Sequence, residues 1–307
     1  MTTRSLSLPS YAKVNLSLRV LGRRPDGYHE IQTVLQTVSL HDNLTIAATA
    51  EDRIEFACDD RTIPRDAANL VVKAAQALRA RFGVTFGCQI MLEKRIPAQG
   101  GLGGGSSNAA VTLLALARLW ELPAKHDDLL ELAAGLGADV PFFLDGGCAL
   151  ATGIGTQLTP LPDQPKQHLL IVTPTVSVST ADAYKALKAP ALTTPDTASI
   201  LAISRTQAVF SDSGLRVLCD HLENDFERVI FDIEPEIRRV KEALIQAGAR
   251  CALLAGSGSS VFGIFENDDA LSVAAQALND SGWRIFSCVT LSRDEYLDAL
   301  SSAIPGR

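Results

Sequence analysis

The chain has no Cys-x-x-Cys pair, no cluster of basic residues and no internal repeat, and each absence removes a class of function. The six cysteines (Cys58, Cys88, Cys148, Cys219, Cys251 and Cys288) are scattered, mostly in apolar segments. That pattern predicts buried free thiols in a reducing compartment, not zinc ligands or a disulfide framework. A formal net charge of −7 over 307 residues argues against nucleic acid as a partner. Residues 96–117 carry no charge, but their glycines and serines argue against a membrane span. The opening Met1-Thr-Thr-Arg-Ser-Leu-Ser-Leu lacks the continuous apolar core of a signal peptide. The expectation is a soluble, cytoplasmic protein, long enough for two domains.

What the chain does have is a glycine cluster, Pro97-Ala-Gln-Gly-Gly-Leu-Gly-Gly-Gly-Ser-Ser-Asn-Ala-Ala110. An alternating segment, 88–94, precedes it and reads as a strand. Residues 109–120 follow as a run of helix formers. Glycines lose more backbone entropy on folding than any other residue, so five of them at a strand-to-helix turn need a reason. Backbone N–H groups can wrap a polyphosphate only where no side chain intervenes, and a helix N-terminus adds favourable partial charge. Ser106, Ser107 and Asn108 are good N-cap residues, so the helix is expected to start there. No Gly-Lys-Ser/Thr closes the loop as in a Walker A motif. Ser106 stands where a dinucleotide fingerprint needs its third glycine, and no His-Arg-Asp or Asp-Phe-Gly marks a protein kinase.

Before this loop, residues 6–20 alternate as a strand, with Val14, Leu16, Leu18 and Val20 on one face and Tyr11, Lys13 and Asn15 sharing the other parity. Pro25-Asp26-Gly27 is a turn, followed by Tyr28 and His29 at the edge of a strand over 31–38. Strands over 44–47 and 53–57 and an amphipathic helix over 66–82 lead to the loop. After the loop, a helix over 126–135 precedes Gly137-Ala-Asp-Val-Pro-Phe-Phe-Leu144. There Asp139 lies among apolar residues, either capping a short helix with Pro141 in its first turn or doing chemistry. Loop-like composition near 161–165 suggests a boundary between domains at 1–163 and 164–307. Beyond it a strand over 168–173, a helix starting at Ser179 or Thr180, and weakly patterned residues 182–213 lead to a helix over 235–248. Strand, Gly256-Ser-Gly-Ser-Ser260, strand, helix and strand then follow. The class is α+β in both halves.

Taken together these motifs resemble the GHMP kinases. The glycine-serine loop is similar to that family's phosphate motif and Gly256-Ser-Gly-Ser-Ser260 to its C-terminal glycine motif. Tyr11-Ala-Lys-Val-Asn15, Arg24-Pro-Asp-Gly-Tyr-His-Glu30, Gly137-Ala-Asp-Val-Pro-Phe-Phe143 and Gly153-Ile-Gly155 narrow the likeness to the branch that phosphorylates 4-diphosphocytidyl-2-C-methyl-D-erythritol (CDP-methylerythritol). The resemblance runs from about Tyr11 to Phe265 and is weak between Pro190 and Asn224. It implies a ribosomal-protein-like N-terminal α/β domain and a ferredoxin-like C-terminal domain. It also implies ATP with Mg²⁺, a small-molecule substrate, no nucleic acid and no membrane, as a monomer or homodimer. By resemblance the ATP phosphates fall to Pro97, Ala98, Gln99, Gly100, Gly101, Leu102, Gly103, Gly104, Gly105, Ser106 and Ser107. Asp139 matches the catalytic base and Lys13 the catalytic lysine. Asn15 matches a substrate contact, Tyr28 and Tyr184 the aromatics that stack on cytosine, and His29 the residue that reads its edge. Thr180, just ahead of Tyr184, belongs to the same pocket.

Asn108 stands where several members carry Asp, so no metal ligand is assigned and Ser107 is only a candidate. Ala255-Gly-Ser-Gly-Ser-Ser260 departs from the usual Ser/Thr-Gly-Ser/Thr-Gly-Ala/Ser-Cys but keeps the glycines. Three other functions compete: a homoserine or mevalonate kinase, a non-catalytic nucleotide sensor, and an RNA-binding module. The Asp26-Gly-Tyr-His29 turn, the presence of both Lys13 and Asp139, and the negative charge weigh against them in that order.

Overall fold

The alternation that begins at Leu6 runs on as strand β1 (Ser5–Arg23), which a tight turn joins to antiparallel β2 (His29–Thr49). In this computed structural model, which describes residues 4–192 and 222–302, the strands expected over 31–38 and 44–47 are one continuous strand. A bulge makes them look separate: Tyr11 faces His41 but Ala12 faces Val38, so Ser39 and Leu40 are extra. Across this irregularity the inward-pointing parity of β2 changes, and Leu35 and Leu44 reach the same core. β3 (Ile54–Cys58) runs parallel to β4 (Gly87–Glu93), which pairs with the second half of β2. β5 (Cys148–Gly153) pairs with the first half and carries β6 (Gln157–Pro160).

Helices α1 (Leu70–Phe82), α2 (Gly104–Leu119), α3 (His126–Leu136) and α4 (Phe142–Asp145) belong to this unit. Residues of the first three and of α4 share a core with one face of the sheet. Helix α1 starts later than expected, because Asn69 caps it by accepting from the Val71 N–H at 2.8 Å.

The second unit is β7 (His168–Thr173), β9 (Cys251–Leu254), β10 (Val261–Phe265) and β11 (Arg284–Val289), in the order β11-β7-β10-β9, all antiparallel. With α5 (Thr180–Leu187), α6 (Glu227–Ile233), α7 (Pro235–Gln246) and α8 (Asp268–Leu278), this is the ferredoxin-like arrangement. A two-residue strand, β8 (Glu223–Asn224), crosses back to pair with β1, giving the first sheet seven strands among the described residues.

Strand parity explains how the units join. Leu169 and Ile171 of β7 pack with Ala12, Val14 and Val34 of the first sheet, whereas Leu170 and Val172 pack under α7 and α8. The result is helix, sheet, sheet, helix, with an apolar seam between the sheets. Each fully buried Leu, Ile or Phe there contributes about 1.5–3 kcal/mol. The last helix, α9 (Arg293–Ser302), returns to the first unit, where Tyr296 and Leu300 enter its core.

Free, buried thiols are found at Cys58, Cys88, Cys148 and Cys288. Cys251, only half-buried at the head of β9, corrects the expectation because it is disulfide-bonded. Cys219, and the weakly patterned stretch from 193 onward, lie outside the described residues. Among the described residues no helix is long and apolar enough to cross a membrane.

Candidate active site

Helix α2 does not wait for Ser106. It begins at Gly104, and its N-cap is Gly103 with φ 71°, a left-handed conformation that glycine adopts at no steric cost. A Cβ on Gly103 would lie 2.7 Å from the Phe143 ring and 3.0 Å from Lys13 Cγ, so packing excludes a side chain as firmly as φ does. The N-caps expected from residues 106–108 therefore sit inside the first turns. The N–H groups of Gly104, Gly105 and Ser106 have no intrahelical acceptor by helix geometry, and all three residues line a cavity of about 1080 Å³.

The loop before α2 is wedged into the second unit. Gly101, at φ 76°, lies so close to the Ala255 carbonyl that a Cβ would come within 1.8 Å of its oxygen. A Cβ on Gly258 would come within 2.2 Å of Gly101 N, and Ser260 N donates to Gly100 O at 3.2 Å. The two glycine motifs are backbone against backbone. At its start the loop is held by Asp42, whose buried carboxylate accepts from Arg95 N and Ile96 N at 2.7 Å each and from Lys94 Nζ at 2.7 Å.

Lys13 lies under this loop and is only 3% exposed. The sheet's polar face is covered, not solvated as a strand-surface lysine usually is. Its ammonium donates to Asn15 Oδ1 at 2.7 Å and Gly101 O at 2.9 Å, and Asp139 Oδ2 stands 3.6 Å away. Asn15 is in turn fixed by donating to Thr33 Oγ1 at 2.8 Å, and Thr33 donates to Ser17 O at 2.6 Å. Asp139 is not a helix cap: Pro141 precedes α4 with no side-chain cap bond. Its side chain is 40% exposed into the cavity. A fixed cation, a reachable carboxylate and a ring of backbone donors thus converge.

At the other end of the cavity are aromatics. Tyr28, just past the Pro25-Asp26-Gly27 turn, is 62% exposed. His29 stacks on Tyr184, ring centres 4.6 Å apart and planes 25° apart, and Tyr184 meets Phe226 edge-on at 4.8 Å. Burial and then the charge of Arg23 hold the His29 imidazole below its ordinary value, so it is neutral at pH 7 with one donor and one acceptor nitrogen. Burial, followed by the Asp139 charge, pushes the Tyr184 phenol up to about 12. Thr180 also lines the cavity and accepts from Ser257 Oγ at 3.0 Å.

Lys13, Asn15, Tyr28, His29, Asp139, Thr180, Tyr184 and residues 97–106 all border the one cavity. Ser107 does not: its buried hydroxyl accepts from Ser10 Oγ at 2.7 Å, whereas Asn108, the next residue along α2, does border the cavity. Among the described residues no three His, Cys, Asp or Glu gather to hold a metal ion. Sequence reasoning missed Lys94, Asn69 and Leu70, which wall the cavity beside the loop. Lys94 resembles any surface lysine until its partner, 52 residues upstream, is known. Asn69 carries a local signal, since Asn is a favoured cap just before an apolar helical run.

Comparisons with known proteins show which family the chain is similar to. The family model described as the GHMP kinases N terminal domain matches residues 69–147, and that described as GHMP kinases C terminal matches 213–282. A 4-diphosphocytidyl-2-C-methyl-D-erythritol kinase of Prosthecochloris aestuarii is 42% identical over 276 residues, covering 90% of this chain and 94% of the relative. One from Bacillus cereus is 38% identical over 287 residues, covering 94% and 97%. A solved structure of 4-(cytidine 5'-diphospho)-2C-methyl-D-erythritol kinase superposes with a TM-score of 0.75 at 35% identity, covering 93% of this chain and 99% of the other.

Proposed function

The chain belongs to the GHMP kinases, in the 4-diphosphocytidyl-2-C-methyl-D-erythritol kinase family, and from that premise we propose how its site works. It transfers the γ-phosphoryl group of ATP to the 2-hydroxyl of 4-(cytidine 5'-diphospho)-2-C-methyl-D-erythritol, a step toward isoprenoid precursors. The observation that carries the reading is the meeting of Lys13 and Asp139 at 3.6 Å beside the first turn of α2.

Phosphoryl transfer asks a protein mainly for positioning and charge neutralisation. The backbone of residues 97–106 and the N-terminus of α2 hold the nucleotide's phosphates. Lys13, kept in place by Asn15 and the Gly101 carbonyl, stabilises the negative charge that develops on the attacking oxygen. Asp139 accepts the hydroxyl proton. A carboxylate is a weaker base than an alkoxide, so the proton leaves as the oxygen–phosphorus bond forms, eased by the neighbouring ammonium. A divalent ion such as Mg²⁺ would be held mainly by the nucleotide's phosphates and water, needing few protein ligands, and would neutralise phosphate charge.

At the far end cytosine stacks on the open ring of Tyr28. His29, steadied on Tyr184, offers a donor and an acceptor to the base edge, as a neutral imidazole can. Thr180 and Asn15 border the path between base and reacting hydroxyl. A pocket built for a cytidine diphosphate conjugate implies an intracellular, cytoplasmic setting, where nucleotide-activated metabolites are found. The test is an ADP-release assay with ATP and magnesium, run separately with the cytidyl compound, mevalonate and homoserine. Turnover with the cytidyl compound alone is expected. Turnover with another alcohol instead would discard the cytosine pocket, and no turnover with any would discard the catalytic reading.

A further inference from the structure

The segment that carries Asp139 has little to hold itself in place. It is a string of single turns, Val140 N to Gly137 O at 3.1 Å and Phe143 N to Val140 O at 3.1 Å, ending in the four-residue α4. Helices so short are unstable alone and rely on tertiary contacts. Those contacts come from α2 and from α9, and α9 lies beyond the residues that either family model matches.

Three observations place α9 on this segment. The Tyr296 hydroxyl, fully buried, donates to the Phe143 carbonyl at 2.5 Å. The Arg293 guanidinium donates to Cys148 O at 2.8 Å, past the Gly146-Gly147 turn that ends α4. The Tyr296 ring also fills the space that a Cβ on Gly146 would need, 2.4 Å from its Cδ1. On its other side Phe143 presses its ring against Gly103, the N-cap of the phosphate-loop helix, and Gly103 packs on Lys13 Cγ. A line of contacts therefore runs from α9 through Phe143 to the loop, and Asp139 lies four residues before Phe143.

We infer that Tyr296 is a positioning residue for the phosphoryl transfer: its hydrogen bond to Phe143 sets where Asp139 stands relative to Lys13. The inference rests on the proposed role of Asp139. Tyr296→Phe removes only the hydroxyl and leaves the packing. Leu300→Ala is the control, since Leu300 joins the same core from α9 but is not bonded to the Asp139 segment. Two readouts are compared with the wild type: steady-state kinetics with ATP and the cytidyl compound, and hydrogen–deuterium exchange of the peptide covering 137–147.

For Tyr296→Phe the expected result is a kcat lowered roughly tenfold, a fraction of the hundredfold that an ångström of misplacement can cost. Both KM values stay within about twofold and exchange over 137–147 speeds up. Leu300→Ala is expected to lower the melting temperature at least as much while kcat holds. Unchanged exchange over 137–147 in Tyr296→Phe, or a kcat loss matched by Leu300→Ala, overturns the inference. Exchange is read without turnover, so a wild type inactive on the cytidyl compound would defeat the proposed function while the positioning role was still decided.

Discussion

The buried pair Asp42–Lys94 gives the most quantitative test of how the glycine loop is held. Asp42 is 0% exposed and the Lys94 side chain 6%, and the carboxylate satisfies two loop N–H groups besides the ammonium. Asp42→Asn keeps its one oxygen for Arg95 N and Ile96 N but turns its NH₂ toward Lys94. Breaking a buried pair by removing one charge costs about 3–5 kcal/mol, because the remaining ion is uncompensated. At roughly 2–4 °C per kcal/mol for larger domains, the melting temperature should fall by about 6–20 °C. The double variant Asp42→Asn with Lys94→Met removes both charges at similar volume. It should recover most of the loss, since apolar replacement of a buried pair is often neutral or better. The assay is calorimetry of the four members of the cycle, with the KM for ATP measured alongside because Lys94 walls the cavity. A single variant melting within 2 °C of wild type, or a double no better than the single, would refute the reasoning.

Other outcomes follow from the same site. Lys13→Ala and Asp139→Asn should each lower kcat about 10²–10⁴-fold with melting nearly unchanged for Asp139→Asn, whose side chain is the more exposed; a normal kcat would remove that residue from the mechanism. Tyr28→Ala should raise KM for the cytidyl compound roughly ten- to hundredfold, because stacking contributes about 1–3 kcal/mol per base. KM for ATP should not move, and an unchanged cytidyl KM would disprove the stacking role. The lowered His29 value means that below about pH 6.5 the unfolded chain takes up a proton the folded chain refuses, so the stability it contributes is lost as pH falls. His29→Gln should flatten the fall in melting temperature as pH drops below about 6.5, and an unaltered slope would count against it.

Much of this site can be read from the chain because its key residues announce themselves locally. Period-two alternation puts Lys13 and Asn15 on one face, and a Pro-Asp-Gly turn sets Tyr28 and His29 at a strand edge. A carboxylate between apolar residues makes Asp139 conspicuous. What stayed hidden depends on partners far along the chain. The start of α2 at Gly104 follows from Phe143 and Lys13 crowding Gly103, which outweighs the capping preference of Ser106. The single long β2 was masked by a bulge at Ser39 and Leu40, whose parity change looks like a break. Stacking of His29 on Tyr184 joins residues on either side of the expected domain boundary. Neither alternation nor capping signals carry that kind of information.

The contact of Gly101 with Ala255 and Gly258 also bears on how such a protein can change over generations. Each half contributes bare backbone to the seam, and any side chain on one is refused by the other. A gene exchange that swapped the second half for that of a distant relative would have to bring a turn of the same depth, or the glycine loop would lose its back wall. The halves are separate in architecture, but a change in one at this seam has to be matched by the other.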